Sequence, residues 1–392
     1  MKNFTIMIKP ASSLCDMRCR YCFYYDVAAS RHMASMGIMT QDTAAALIRN
    51  VYSGLEAGDS VTFAFQGGEP GLAGLPFFEF FAETVKKVAL RGVRTSYAFQ
   101  TNGLMINDAW CRFFVKNNFL VGLSLDGDAA LHNQNRIDAQ GKATYNRVMD
   151  AKRLMDKHKA EYNILCVLTA ESARRARRIW NFILKEGIRH IQFIPCLEPL
   201  EIPENSVHHA NNEHMANEES ATSSKNTSQI SIEAALTGKR FGLFYSGLFP
   251  LWKAEVEKGN LVHVRLFEDL AGIYLAGQRL TCGMSGRCTP QMVVEADGSV
   301  YPCDFYVLDE YRVANLAEST IKEVFNAVVN CGFLDKQPTK YAVCNNCSYS
   351  KWCQGGCKRM SKAVYGHDCG MKSFLDKHLH DLLAVAQRLV GR

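Results

Sequence analysis

From residue 5 to about 194 the chain alternates short runs rich in β-branched and aromatic residues with longer stretches whose apolar positions recur at helical spacing. The short runs, 5–9, 60–65, 95–101, 120–125, 162–168 and 190–194, predict six strands. Stretches starting near Thr40, Leu75, Asp108, Thr144 and Ser172 predict helices, several opened by a Thr, Ser or Asp able to cap the first turn. Alternation of this kind predicts a parallel sheet with helices packed outside it. Six units suit an α/β fold, an open, partial (β/α)6 barrel, in which chemistry gathers at the carboxyl ends of the strands.

After residue 200 the pattern changes four times. Residues 201–233 are polar and nearly free of aliphatics, which predicts an insertion or flexible loop; His208, His209 and His214 within it read as solvated side chains rather than ligands. Residues 234–280 regain helical periodicity, with Phe244, Leu248, Leu251, Trp252, Leu261 and Leu266 as the expected core of bridging helices. A cysteine-rich unit is expected over 281–370 and a terminal helix over 371–392. Within the cysteine-rich unit, apolar positions alternate on both sides of Asp297-Gly298 from Val293 to Tyr301, the signature of a β-hairpin.

Composition narrows the class of protein. With 47% hydrophobic and 21% charged residues the chain suits a globular core, and no apolar run reaches membrane-spanning length. The amino terminus lacks the charged, apolar and small-residue segments of a secretion signal, so the expected compartment is the cytoplasm. The formal charge of +6 is not gathered into lysine and arginine runs with interleaved aromatics, so nucleic-acid binding is not indicated. Fifteen cysteines in a reducing compartment point to metal ligation instead of disulfides.

The cysteines fall into two constellations. Cys15, Cys19 and Cys22 form a C-x3-C-x2-C run directly after the first strand. Three thiolates suit either a zinc knuckle or an iron–sulfur cluster with one iron left open to a small molecule. Gln66-Gly67-Gly68-Glu69-Pro70 follows the second strand, Gln100-Thr101-Asn102-Gly103 the third and Ser124-Leu125-Asp126-Gly127 the fourth, all on the same rim. In the second turn the glycines allow close backbone approach, and Glu69 offers a carboxylate to an ammonium group. From Cys282 onward come Cys282, Cys288, Cys303, Cys344, Cys347, Cys353, Cys357 and Cys369, enough for two four-thiolate sites holding zinc or iron–sulfur clusters. Cys111, Cys166, Cys196 and Cys331 stand outside both sets and read as free thiols.

The cysteine run, with Tyr21 before its last cysteine, and the Gly-Gly-Glu-Pro turn resemble the radical S-adenosylmethionine (SAM) superfamily. The later cysteines resemble its SPASM extension. Tyr301-Pro-Cys-Asp-Phe-Tyr-Val307, Lys9-Pro-Ala-Ser-Ser13 and Ala64-Phe-Gln-Gly-Gly-Glu-Pro70 narrow the likeness to the anaerobic sulfatase-maturating enzymes. That resemblance implies a partial (β/α)6 radical SAM barrel with a carboxyl-terminal SPASM domain, SAM as cosubstrate and three four-iron (4Fe-4S) clusters. Cys15, Cys19 and Cys22 would hold the cluster that binds SAM. Cys282, Cys288, Cys303 and Cys357 would hold one auxiliary cluster; Cys344, Cys347, Cys353 and Cys369 would hold the other. SAM would be contacted by Tyr21, Gly67, Gly68, Glu69, Ser124 and Arg136, while Tyr24 and Gln66 would face the substrate.

The resemblance further implies that a 5'-deoxyadenosyl radical takes hydrogen from the β-carbon of a cysteine or serine in a target sulfatase. A proton would pass to Asp304 and an electron to the auxiliary clusters, ending as Cα-formylglycine. An ordinary turn aspartate is the other reading of Asp304. The implied partners are an unfolded or nascent sulfatase chain and a flavodoxin- or ferredoxin-like electron donor, with the enzyme a monomer that binds neither nucleic acid nor membrane. A second SPASM reading is a modifier that crosslinks or epimerises a ribosomal peptide. Such enzymes usually carry a peptide-recognition domain ahead of the barrel, and here the first cysteine comes at residue 15. A third reading is a non-catalytic zinc or iron–sulfur electron carrier.

Overall fold

The computed structural model describes residues 2–200, 232–336, 338 and 340–391. The six expected strands are β1 (Asn3–Ile8), β2 (Ser60–Phe65), β3 (Arg94–Thr101), β4 (Phe119–Ser124), β5 (Tyr162–Leu168) and β6 (His190–Pro195). They pair in parallel in chain order. Between and around them run α1 (Phe23–Ala29), α2 (Gln41–Ser53), α3 (Leu75–Val88), α4 (Asp108–Lys116), α5 (Ala129–Asn135), α6 (Tyr145–His158) and α7 (Ala176–Lys185).

Side-chain alternation explains the layering. In β2, Val61, Phe63 and Phe65 are buried while the residues between them are only half-buried. Phe65 meets Phe78 and Phe81 of α3 edge to face, with ring centroids 5.0 Å apart in both pairs. Helix starts follow the side-chain caps: Thr40 accepts from the Thr43 amide, Asn107 from Ala109 and Trp110, and Asp128 from Ala130 and Leu131. The helix expected at Ser172 is instead a single 3-10 turn, with α7 beginning at Ala176, because the side chains of Thr169 and Ser172 accept from each other's backbone amides and close a separate turn. The two-turn helices α1 and α5 are too short to show periodicity in the sequence.

The sheet does not end with the six strands. After α8 (Gly238–Glu257), β7 (His263–Val264) joins β6 in parallel, and α9 (Arg265–Ala276) follows. On the opposite edge β8 (Met292–Val294) pairs in parallel with β1, then turns at Asp297-Gly298 into antiparallel β9 (Ser299–Tyr301), which β10 (Ala314–Asn315) extends. The expected hairpin is therefore present, and it is part of the same ten-stranded sheet as the barrel strands.

The remaining helices are α10 (Ile321–Asn330), α11 (Ser350–Cys353) and α12 (Gly370–Val390). Helix α12 packs on α8 and α9 through an aromatic core in which Phe267 stacks on Phe374 and Phe249 meets both rings edge to face. Of the core residues expected in 234–280, Phe244, Leu248, Trp252 and Leu266 are buried, and Leu251 and Leu261 half-buried. The polar stretch expected at 201–233, with its three histidines, lies outside the described residues in all but its last two positions. Among the described residues no helix is long and apolar enough to cross a membrane.

Candidate active site

The loop after β1 carries Cys15, Cys19 and Cys22, and it is fixed from two sides. On one side the Gly68 amide donates to the Ser12 carbonyl (3.0 Å) and the Glu69 amide to that of Leu14 (2.7 Å). A Cβ on Gly68 would stand 2.0 Å from the Leu14 carbonyl oxygen, and one on Gly67, whose φ is +124°, 2.9 Å from that of Ser12. The close approach that these glycines allow is thus, in the first place, to the backbone of the cysteine loop. On the other side the Arg18 and Arg20 amides donate to the carbonyls of Ile137 and Asn135. All three thiols line one cavity together with Tyr21, Tyr24, Gly67, Gly68, Glu69, Ser124 and Arg136. Burial pushes the Cys19 thiol up to about 12 and raises those of Cys15 and Cys22.

Glu69 is almost wholly buried, at 1% exposure. One carboxylate oxygen accepts from the Gly71 amide (3.1 Å) and the Thr101 hydroxyl (2.9 Å), the other from the Asn102 amide (2.7 Å). Burial nonetheless outweighs these donors and lifts its pKa to about 7. This carboxylate is aimed and costly to ionise, and a cation beside it would relieve that cost.

Asp126, just past the end of β4, collects three donors. The Tyr21 hydroxyl donates to it, Arg136 Nε does so at 3.0 Å, and the Val167 amide binds its other oxygen at 2.9 Å. The Arg136 guanidinium also lies 5.5 Å from the Tyr21 ring centroid. Arg136 is therefore a buried cation at the end of α5 and not a surface residue. Behind it His132, fully buried, is pushed down to about 4, first by desolvation and then by the Arg136 charge.

Asp304 opens a one-turn 3-10 helix after β9, and among the described residues its carboxylate accepts from side chains and not from a backbone amide. One oxygen accepts from the Tyr24 hydroxyl (2.7 Å) and Gln66 Nε2 (2.8 Å), and Gln66 also donates to the Tyr24 oxygen at 2.7 Å. Lys9 Nζ stands 3.1 Å from the other oxygen and 4.4 Å from the Tyr24 ring centroid. Lys9 and Asp304 are both buried, at 3% and 7% exposure. An anion, a cation and two neutral hydrogen-bonding groups from four separate segments thus converge, with Phe305 carrying the cluster to the wall of the three-thiol cavity.

The later cysteines gather into the two expected sets. Cys303 lies close enough to Cys357 and Cys282 for their charges to raise its pKa; Cys282 and Cys288 act likewise on Cys357. Cys353 and Cys369 feel Cys344 and Cys347 in the same way. Among the described residues no three Cys, His, Asp or Glu side chains converge on a single-ion position. Tyr365, fully buried, stands between the quartets, near Cys353, Cys357, Cys369 and Cys344. A Cβ on Gly356 would meet its ring at 1.8 Å.

Thr101, Asn102 and Asp126, which the sequence places on the rim without assigning them a contact, carry this geometry, as do Lys9 and Tyr365. Lys9 and Asp126 each sit at the carboxyl end of a buried strand, where a charge needs a partner, and that is the signal that could have found them. Tyr365 offers none.

Residues 10–178 match the family model of the radical SAM superfamily, and residues 282–348 that of an iron–sulfur cluster-binding domain, SPASM. The "Cysteine-type anaerobic sulfatase-maturating enzyme" of Clostridium novyi (strain NT) is 37% identical over 399 residues, covering all of both chains. The "Serine-type anaerobic sulfatase-maturating enzyme" of Klebsiella aerogenes is 30% identical over 355 residues, 90% of this chain and 79% of the relative. A solved structure described as "Native anSMEcpe with bound AdoMet and Cp18Cys peptide" superposes with a TM-score of 0.83 at 35% identity, covering 99% of each chain. Streptococcus suis SuiB with its precursor peptide, at 16% identity and a TM-score of 0.58, shares the fold. The chain belongs to the anaerobic sulfatase-maturating enzymes, radical SAM oxidoreductases that use SAM and iron–sulfur clusters to turn a cysteine or serine side chain of a sulfatase into Cα-formylglycine.

Proposed function

We propose that the two sides of the cavity divide the work: the Cys15, Cys19, Cys22 and Glu69 side holds the radical source, and the Tyr24, Gln66, Lys9 and Asp304 side takes the proton that the substrate loses. The observation that carries this reading is the buried Asp304 network, built beside Cys303 and reaching the cavity of the three thiols. When bound, SAM and its cluster supply a carbon radical that abstracts hydrogen. Glu69 would receive the SAM ammonium group, with Gly67 and Gly68 fixing the loop that presents it. Ser124 and Arg136 would contact the far part of SAM, and Tyr21 would align Arg136 through Asp126. Asp304 Oδ2, already an acceptor for two neutral donors, would accept the proton of the substrate's thiol or hydroxyl as the carbon–heteroatom double bond forms. Lys9, buried with its Nζ 3.1 Å from Asp304 Oδ1, would compensate the carboxylate. Phe305 and Leu197 would keep water from the reacting carbon.

Cys282, Cys288, Cys303 and Cys357 would hold the auxiliary cluster beside Asp304, and Cys344, Cys347, Cys353 and Cys369 the outer one. Cysteine is proposed as the preferred target residue, supported by the higher identity to cysteine-type relatives. The substrate is proposed to be an unfolded or nascent sulfatase segment in the cytoplasm, the enzyme a monomer, and the donor a flavodoxin- or ferredoxin-like protein. The test is Asp304→Asn in the iron-loaded enzyme with SAM, reductant and a peptide bearing Cys-x-Pro-x-Arg. Deoxyadenosine should form while the aldehyde mass shift is lost; undiminished aldehyde would remove Asp304 as the acceptor.

A further inference from the structure

The first quartet has a cation lodged against it. Lys358 follows Cys357 directly, and its half-buried ammonium group lies within reach of Cys288 and Cys303, hydrogen-bonded to the Cys288 sulfur. Its Nζ stands 3.3 Å from the Phe333 ring centroid and 5.2 Å from that of Tyr306, and it donates to the Phe333 carbonyl at 3.3 Å. Phe333 is buried, with the rings of Tyr306 and Tyr311 packed on it at 5.4 and 5.0 Å. The charge is thus held between an aromatic wall and the thiols, two residues from neither solvent nor substrate being needed to fix it.

What this cation lacks is a carboxylate. The two fully buried lysines among the described residues are each paired, Lys9 with Asp304 at 3.1 Å and Lys152 with Asp156 at 2.9 Å. Lys358 forms no ion pair with a carboxylate among the described residues, and Lys336 repels it. Burial and a like charge both oppose a cation here, so anions must offset them. The anions that act on it are the thiolates of Cys288 and Cys303. In the second quartet the corresponding cation is already engaged: Lys372, which acts on Cys347, is bound to Asp376 at 2.7 Å. Hydrogen bonds to the sulfurs and net charge set the potential of an iron–sulfur cluster, and a cation at one thiolate favours the reduced state, which carries one more negative charge.

We propose that Lys358 sets the reduction potential of the cluster held by Cys282, Cys288, Cys303 and Cys357, raising it through a charged hydrogen bond to the Cys288 sulfur. Lys358 acts through the cluster and not on substrate, so it is a tuning residue and not a catalytic one. This rests on the reading of both quartets as cluster ligands. Hydrogen abstraction leaves a substrate radical that must give up one electron with its proton, and a higher potential beside Asp304 favours that release.

The experiment is a potentiometric titration of the iron-loaded full chain, followed by electron paramagnetic resonance with and without SAM. The couple that SAM shifts belongs to Cys15, Cys19 and Cys22, and the two that it leaves in place belong to the quartets. In Lys358→Met one of those two should become harder to reduce while the other stays where it was. Its reduced-to-oxidised ratio at a fixed potential should fall on the order of tenfold, about 59 mV for one electron. Lys358→Arg should restore the midpoint, and Lys358→Gln, which keeps a donor without the charge, should fall between. Aldehyde formed per deoxyadenosine should fall in the same order. Should Lys358→Met lose iron, the Gln and Arg variants carry the comparison. An unaltered enzyme with fewer than two SAM-insensitive couples would overturn the cluster reading and this inference with it. Two such couples that stay unmoved in the neutral variants, or that move together, would overturn the inference alone, as would a shift that Lys358→Arg fails to restore.

Discussion

If Glu69 receives the ammonium group of SAM, affinity for SAM must follow the ionisation of that one carboxylate. Burial, opposed by the Asn102, Gly71 and Thr101 donors, sets its pKa at about 7 against an ordinary 4.5. The ionised fraction is then roughly nine-tenths at about pH 8 and one-tenth at about pH 6, so the Kd for SAM should weaken by about tenfold across that interval. Glu69→Gln should bind SAM weakly and without this slope, because its amide nitrogen would face the Asn102 amide in place of an acceptor. Stability in the absence of SAM should show the same group with the opposite benefit. A raised carboxyl pKa means that the folded state favours the protonated acid. The contribution is whole below about pH 4.5 and is lost as pH rises through about 7, amounting to about 3 kcal/mol. Urea unfolding of the two proteins at about pH 5 and pH 8 measures it as a difference of differences. A SAM Kd that is flat from pH 6 to 8, or that slopes equally in Glu69→Gln, would refute the reasoning.

Lys9→Met should leave a buried carboxylate without its cation, lowering Tm by an amount equivalent to about 3 kcal/mol and suppressing aldehyde while deoxyadenosine still forms. Gly68→Ala should drive its Cβ into the Leu14 carbonyl, costing about 1–3 kcal/mol and reducing the iron retained by the first trio more than that retained by the quartets, as read by iron analysis of single-site and quartet-deleted proteins. Arg31, 2% exposed, pairs with Glu295 at 2.7 Å while two of its nitrogens lack partners. Arg31→Met should therefore cost about 3–5 kcal/mol, and adding Glu295→Met should restore much of it, as thermal unfolding would report.

The sheet, the rim and the cysteine sets were legible because each rests on short-range pattern: β-rich runs between helical periods, and thiols at fixed spacing. Asp304 was legible through its neighbours Tyr301-Pro-Cys, but its partner Lys9 was not, since the two are brought together only by β8 pairing with β1. The same holds for Asp126, whose meaning comes from Tyr21 and Arg136 converging on it from opposite directions. Tyr365 fills a space that exists only once Gly356 and both quartets are folded. Pairings across long sequence separations leave no periodic trace, and these are where the remaining chemistry sits.

The attachment of β8 to the edge of β1 also determines how the protein must be handled as a machine. The loop of Cys15, Cys19 and Cys22 leaves β1, and Asp304 follows the hairpin bonded to that same strand, Ile6 to Ile8 lying against Met292 to Val294. The spacing between that loop and Asp304 is therefore tied to the register of the sheet. Cutting the chain between the two would strip a partner from β1 and leave a bare parallel edge open to self-association. The carboxyl-terminal region is in this sense the missing wall of the catalytic chamber, and excision should yield an aggregating half rather than a simpler radical enzyme.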